Sequence, residues 1–124
     1  MTCDTHTQDA QSGCSDTAHR YAVLVRRAVE QYQNGVEPEE TVLPGLFDPL
    51  DLDFTVSYMN GQLAYRGVRI CVAWGGPSAY IDTVSGRVEV FNWGEHGQCE
   101  LWSNDCDTID DYYRDLVVGA TVEE

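Results

Sequence analysis

Hydrophobic residues recur at helical spacing near both ends of the chain, and between these segments they alternate with polar residues. The helical period predicts a first helix over residues 17–34, which Asp16 or Thr17 can cap and Gly35 can end. A second helix is predicted over residues 106–118, with Gly119 after its last turn. The alternating stretch between them indicates β-strands, which bury every second side chain.

The alternating stretch opens with a predicted hairpin. Apolar residues alternate over positions 54–58, and Asn60-Gly61 follows as a strong signal for a two-residue turn. Gly67 then interrupts the alternation and predicts a bulge. The nearly continuous apolar run over residues 68–74 predicts a central strand.

Three more strands are predicted before the second helix. Residues 79–83 and 87–93 form a hairpin with its tip at residues 84–86, residues 94–97 form a turn, and residues 98–102 form a last strand. A helix, a five-stranded antiparallel meander and an acidic C-terminal helix define an α+β fold. We expect the helices to cover one face of the sheet and to leave the other open.

A chain of 124 residues fits one domain with its own hydrophobic core. We expect residues 1–16 to form a flexible polar tail and residues 17–124 to form a single α+β domain. No apolar run is long enough to span a bilayer, and the polar N-terminus lacks the pattern of a signal peptide. A cytoplasmic location is therefore expected.

The charge is strongly unbalanced. There are 21 carboxylates and seven basic residues, all of them Arg, which gives a net charge of −14. Such a charge repels nucleic acid and anionic membranes and attracts basic surfaces. The alternative is compositional, since a halophilic or GC-rich source also favours acidic residues and depletes Lys, and acidity aids solubility.

The carboxylates concentrate after position 94, where Arg114 is the only basic residue. Closely spaced carboxylates on a rigid helix and sheet edge can imitate part of the field of duplex DNA, although most charge runs are simply solvated faces. The predicted partner contacts are Glu95, Glu100, Asp105, Asp107, Asp110, Asp111 and Asp115.

Aromatic residues cluster in the predicted sheet, and Trp93 and Trp102 are also predicted partner contacts. The cluster consists of Trp74, Tyr80, Phe91, Trp93 and Trp102. Stacking on nucleic-acid bases is disfavoured because the net charge repels phosphates. Core packing and an aromatic protein-binding patch remain as alternatives.

Cysteine and histidine residues occur in two sets. The polar N-terminus holds Cys3, His6, Cys14 and His19, which are zinc-binding residue types without the spacing of a standard finger. The odd count of five Cys argues against a complete disulfide framework, and Cys71 is expected to pack in the core. We predict no metal and no cofactor.

The second set is His96, Cys99 and Cys106. Cys106 is predicted at a helix start, where a thiolate would be stabilised, and Cys99 as a buried thiol in a strand. Glu95 beside His96 suggests acid–base chemistry, and either Cys could act as a nucleophile with His96. Because no nucleophile elbow or oxyanion loop accompanies them, we predict no catalytic residues and no enzyme activity.

Three segments together carry a resemblance to known proteins. They are Gly75-Gly76-Pro77-Ser78-Ala79-Tyr80-Ile81-Asp82-Thr83, Val88-Glu89-Val90-Phe91-Asn92-Trp93-Gly94 and the acidic Asp107-Thr108-Ile109-Asp110-Asp111-Tyr112-Tyr113. Over roughly residues 66–118 the chain resembles small acidic proteins encoded on prophages and conjugative elements. The shared pattern is structural, and the N-terminal Cys and His residues have no counterpart in it.

The resemblance and the charge together imply a function. Small acidic proteins of mobile elements are often anti-CRISPR or antirestriction inhibitors. We therefore expect a non-enzymatic inhibitor that binds a basic channel of a host defence complex, such as a CRISPR effector, through a DNA-mimicking surface. The alternative is a small adaptor that binds a protein through an aromatic sheet face around Trp74, Trp93 and Trp102. A metal-binding or enzymatic protein using the Cys and His residues is a third possibility.

Overall fold

The computed structural model describes the backbone of residues 9–122 and the side chains of residues 13–116. It confirms the predicted α+β order of a helix, a five-stranded antiparallel meander and a helix. The main elements are α1 Asp9–Gln33, β1 Asp51–Met59, β2 Gln62–Ala73, β3 Ser78–Asp82, β4 Arg87–Asn92, β5 Glu95–Glu100 and α2 Ser103–Val122. No helix among the described residues is long and apolar enough to cross a membrane.

The sheet has the strand order β1-β2-β3-β4-β5, and one of its faces is covered by the helices. Ile70, Ile81, Val88 and Cys99 lie side by side across four strands and are buried on that face. α1 crosses β4 and β5, while α2 packs against β2. The opposite face has no helix over it within the described residues, as the alternation predicts.

The β1–β2 hairpin has the predicted turn and bulge. Asn60 and Gly61 adopt positive φ angles of 53° and 78°, which suits a tight hairpin turn. The register shifts between Thr55 and Val56, opposite Gly67. A side chain at Gly67 would overlap Val84, so this position requires glycine.

α1 begins at Asp9, earlier than the predicted start at residue 17. The physical reason is Gly97, which lies within β5 and lets the backbone of Cys14 and Ser15 pack directly on the strand. The prediction of a turn over residues 94–97 is therefore wrong. The turn is instead formed by Trp93 and Gly94, with φ angles of 54° and 85°. Residues 1–8 of the predicted tail lie outside the described residues.

The segment between α1 and β1 is fixed by an aromatic cluster. The ring of Phe47 stacks on Tyr32 of α1 at 4.9 Å and meets Tyr112 of α2 edge-on at 5.1 Å. The hydroxyl of the buried Tyr113 donates to the carbonyl of Leu46 at 2.6 Å. These contacts join the C-terminal end of α1 to the middle of α2.

Candidate partner-binding surface

The carboxylates of α2 divide between two faces of the helix. Ile109 and Tyr113 are buried against the core. Asp107, Asp111 and Asp115 follow one another at intervals of four residues and are all exposed. Because four residues advance a helix by about 6 Å, these three aspartates form one line of regularly spaced negative charges on the outer face, which we call the α2 line.

Asp110 faces the sheet instead. Its carboxylate accepts hydrogen bonds from the Tyr65 hydroxyl at 2.7 Å and the Thr83 hydroxyl at 2.8 Å. Thr83 in turn accepts from the backbone N–H of Val68 at 2.9 Å. Burial, together with the Asp110 carboxylate, raises the pKa of Tyr65. Asp110 therefore fastens α2 to the sheet, contrary to its predicted place among the partner contacts.

Asp105 is also internal, because only 3% of its surface is exposed. Its Oδ2 lies 3.8 Å from the Arg26 guanidinium and makes no hydrogen bond among the described residues. Burial raises the pKa of Asp105, and Arg26 opposes this shift. Asp105 thus cannot serve as the predicted surface contact.

Trp102 lies beside the same ion pair. The Arg26 guanidinium sits 4.6 Å from the centre of the Trp102 ring, which is half-buried against the core. Trp102 therefore packs under α1, and the prediction that places it on an aromatic sheet face with Trp93 is wrong.

Glu95 and Glu100 are exposed at the two ends of β5. Their spacing of five residues directs their side chains to opposite faces of the strand. Glu95 lies beside Cys14 of α1, and it adds to the rise that burial causes in the pKa of that thiol. Glu100 pairs in register with Arg87. The two glutamates and the α2 line therefore do not form one continuous surface.

A groove of about 480 Å³ runs beside the α2 line. Asp111 and Asp115 lie on its lining together with the rings of Tyr32 and Tyr112. Asp111 also pairs with Arg114 at 2.8 Å, but both side chains are largely exposed, so this pair is weak and exchangeable. This groove could not be predicted from the sequence, because the helical spacing of Tyr32 indicates only a core position.

The open face of the sheet carries a row of rings. Phe91 stacks on His96 at 4.7 Å and meets Tyr80 at 6.0 Å, and the Arg69 guanidinium lies 3.9 Å from the centre of the Tyr80 ring. At the turn that follows β4, Trp93 is 95% exposed. Cys71 is buried but in register with Tyr80, so it packs on this side of the sheet and not in the main core.

The Cys and His residues that the structure describes do not assemble into a metal site. Cys3 and His6 lie outside the described residues, Cys14 is buried, and Nδ1 of His19 lies 3.8 Å from the sulfur of Cys99. Within the part of the chain that the structure describes, no group of His, Cys, Asp or Glu residues could hold a metal ion.

The second Cys and His set is likewise dispersed. Cys99 is disulfide-bonded, so it is neither the predicted buried thiol nor available as a nucleophile. Burial, with Asp110, Asp105 and Asp107 nearby, raises the pKa of Cys106 to about 11. The prediction of a stabilised thiolate at this helix start is therefore wrong, because burial and the surrounding carboxylates outweigh the helix dipole.

Comparison with known proteins adds no identification. No protein-family model matches the chain, and no curated protein or solved structure matches it. The resemblance to mobile-element proteins stays a prediction.

Proposed function

We propose that this protein is a non-enzymatic inhibitor, carried by a phage or other mobile element, that occupies a basic nucleic-acid channel of a host defence complex in the cytoplasm. The observation that carries the proposal is the exposed line of Asp107, Asp111 and Asp115. The net charge of −14 favours encounter with a basic surface over long range. A CRISPR effector is the partner class that the mobile-element resemblance implies.

The spacing of the line supports the mimicry of nucleic acid. Neighbouring carboxylates are about 6 Å apart along the helix axis. One strand of duplex DNA carries one negative charge about every 3.4 Å along the helix axis, so the two charge spacings are of the same order. Since Asp105 is buried and the carboxylate of Asp110 is bonded to Tyr65 and Thr83, the mimicry rests on three α2 carboxylates and not on the seven predicted ones.

The groove beside the line supports recognition of arginine in particular. A guanidinium that enters it can pair with the carboxylate of Asp111 or Asp115 and stack on Tyr32 or Tyr112. Lysine lacks the planar fork for such contacts. An Arg-lined channel is therefore the partner surface that fits best.

The experiment is capture of the partner from a host lysate on the immobilised full chain, followed by elution with duplex DNA. The test variant is Asp107→Asn/Asp111→Asn/Asp115→Asn, and the matched control is Glu37→Gln/Glu39→Gln/Glu40→Gln on the exposed loop after α1. Both variants lose three negative charges. We expect the α2 variant to lose at least tenfold in captured partner and the control to retain it. If both variants capture the same amount of partner, the acidity reflects amino-acid composition and not a binding surface.

A second candidate is supported by the exposed indoles. Trp93 is 95% exposed and Trp74 61% exposed, and such side chains are often protein-binding anchors. An adaptor that docks through them would bind with little dependence on salt, whereas carboxylate mimicry predicts affinity that falls steeply with ionic strength. Trp93→Ala measured over a salt titration separates the two functions.

A further inference from the structure

The outer edge of β1 can form backbone hydrogen bonds with another extended segment. β1 lies at the end of the sheet, and within the described residues it pairs only with β2. The Leu52 N–H donates to the Asp51 carboxylate at 2.9 Å and not to β2. Because an antiparallel ladder alternates between bonded and outward residues, the backbone groups of Leu52 and Phe54 point away from β2. An edge of this kind readily pairs with another extended segment.

The apolar side of β1 extends the core outward. Leu52, Phe54, Val56 and Tyr58 alternate along this side, and Tyr58 is 72% exposed. The Phe54 ring lies 6.1 Å from the Tyr113 ring of α2. An added strand would therefore find an apolar surface for every second side chain.

The opposite side of β1 carries uncompensated charge. Asp51 and Asp53 are exposed there, and neither forms an ion pair with any described residue. Arg69 lies across from Asp53 in register, but its guanidinium is directed to Glu89 at 3.4 Å and to the Tyr80 ring. A basic residue on an added strand would supply the missing partner.

We propose that β1 binds an extended segment of a partner protein in which apolar residues alternate with Arg or Lys. The segment adds to the sheet edge, places its apolar side chains beside Phe54 and Val56, and places its basic side chains beside Asp51 and Asp53. A second copy of this chain fits poorly, because each copy carries a charge of −14 and would bring its own aspartates to the junction. The surface is distinct from the α2 line, so this inference does not depend on the proposed function.

The test is a backbone NMR titration of the isotope-labelled full chain. The probe is a synthetic nine-residue peptide in which valine alternates with arginine. We expect saturable shift changes centred on β1 and cross-strand contacts between peptide Hα protons and β1 amide protons. A peptide that alternates valine with glutamate is the matched probe, and it should bind at least tenfold more weakly.

Two variants with the same change in net charge complete the test. Asp51→Asn/Asp53→Asn should weaken binding of the arginine peptide at least fivefold, and Glu37→Gln/Glu39→Gln should leave it unchanged, with dispersed spectra confirming that both fold. The inference is overturned by shift changes centred on α2, by equal binding of the two peptides, or by no saturable binding at millimolar peptide. Concentration-dependent β1 shifts without peptide would show a second copy at the edge and would also overturn it.

Discussion

Replacing Asp110 by alanine removes the hydrogen bonds that fasten α2 to the sheet. The carboxylate accepts from Tyr65 at 2.7 Å and from Thr83 at 2.8 Å, and both hydroxyls lose an ionised acceptor in the variant. Hydrogen bonds to charged groups contribute about 1.5 kcal/mol or more each. The free energy of unfolding should therefore fall by about 3 kcal/mol, a large share of the stability of a small domain.

Urea unfolding followed by circular dichroism measures this loss, and the melting temperature should fall by about 10 °C. The matched control is Asp107→Ala, which removes an exposed carboxylate from the same helix. This control should stay within about 0.5 kcal/mol of the wild type. If Asp110→Ala is as stable as Asp107→Ala, the hydrogen bonds do not fasten α2 and the division of its carboxylates into two classes is incorrect.

Three further predictions concern the core and the buried titrating groups. Gly97→Ala should destabilise the protein by about 3 kcal/mol in urea unfolding, because the added methyl group meets the α1 backbone at Cys14, and an unchanged midpoint would contradict the close packing. The folded-state pKa of Asp105 is raised, so the stability it contributes is present below its ordinary value of 3.8 and is lost as pH rises through the folded pKa. The stability of the wild type relative to Asp105→Asn should therefore fall as pH rises above 3.8, and a pH-independent difference would refute the shift. The Cys106 thiol, with a pKa of about 11, should react with a thiol reagent at pH 8 at least tenfold more slowly than a free cysteine. The variant Cys106→Ser shows which part of the total labelling comes from Cys106, and fast labelling of this thiol would contradict the raised pKa.

Much of the fold could be predicted because its signals are local. The alternation around Asn60-Gly61 sets the register of the first hairpin, and Gly67 marks the bulge. The N-terminal part of α1 could not be predicted in this way. There the helix backbone at Cys14 and Ser15 packs on β5 only because Gly97, far along the chain, leaves room for it.

The division of the site depends on tertiary partners. Asp105, Asp107 and Asp110 are indistinguishable as carboxylates in the sequence. The position of Asp105 in the first turn of a helix is compatible with a solvent-exposed side chain. Their separate roles follow from their tertiary partners, which lie far away in the sequence. Asp105 lies beside Arg26 of α1, and Asp110 accepts a hydrogen bond from Tyr65 of β2. Only the spacing of four residues between exposed aspartates was present in the sequence as a pattern.

The proposed function requires that a partner recognises the α2 line and not acidity in general. The most direct measurement is the ratio of two dissociation constants for the captured partner, that of Asp107→Asn/Asp111→Asn/Asp115→Asn over that of Glu37→Gln/Glu39→Gln/Glu40→Gln. Both variants change the net charge equally, so nonspecific electrostatic attraction contributes equally to the two dissociation constants and cancels from their ratio. We predict a ratio of at least ten, and a ratio near one would contradict the proposed function.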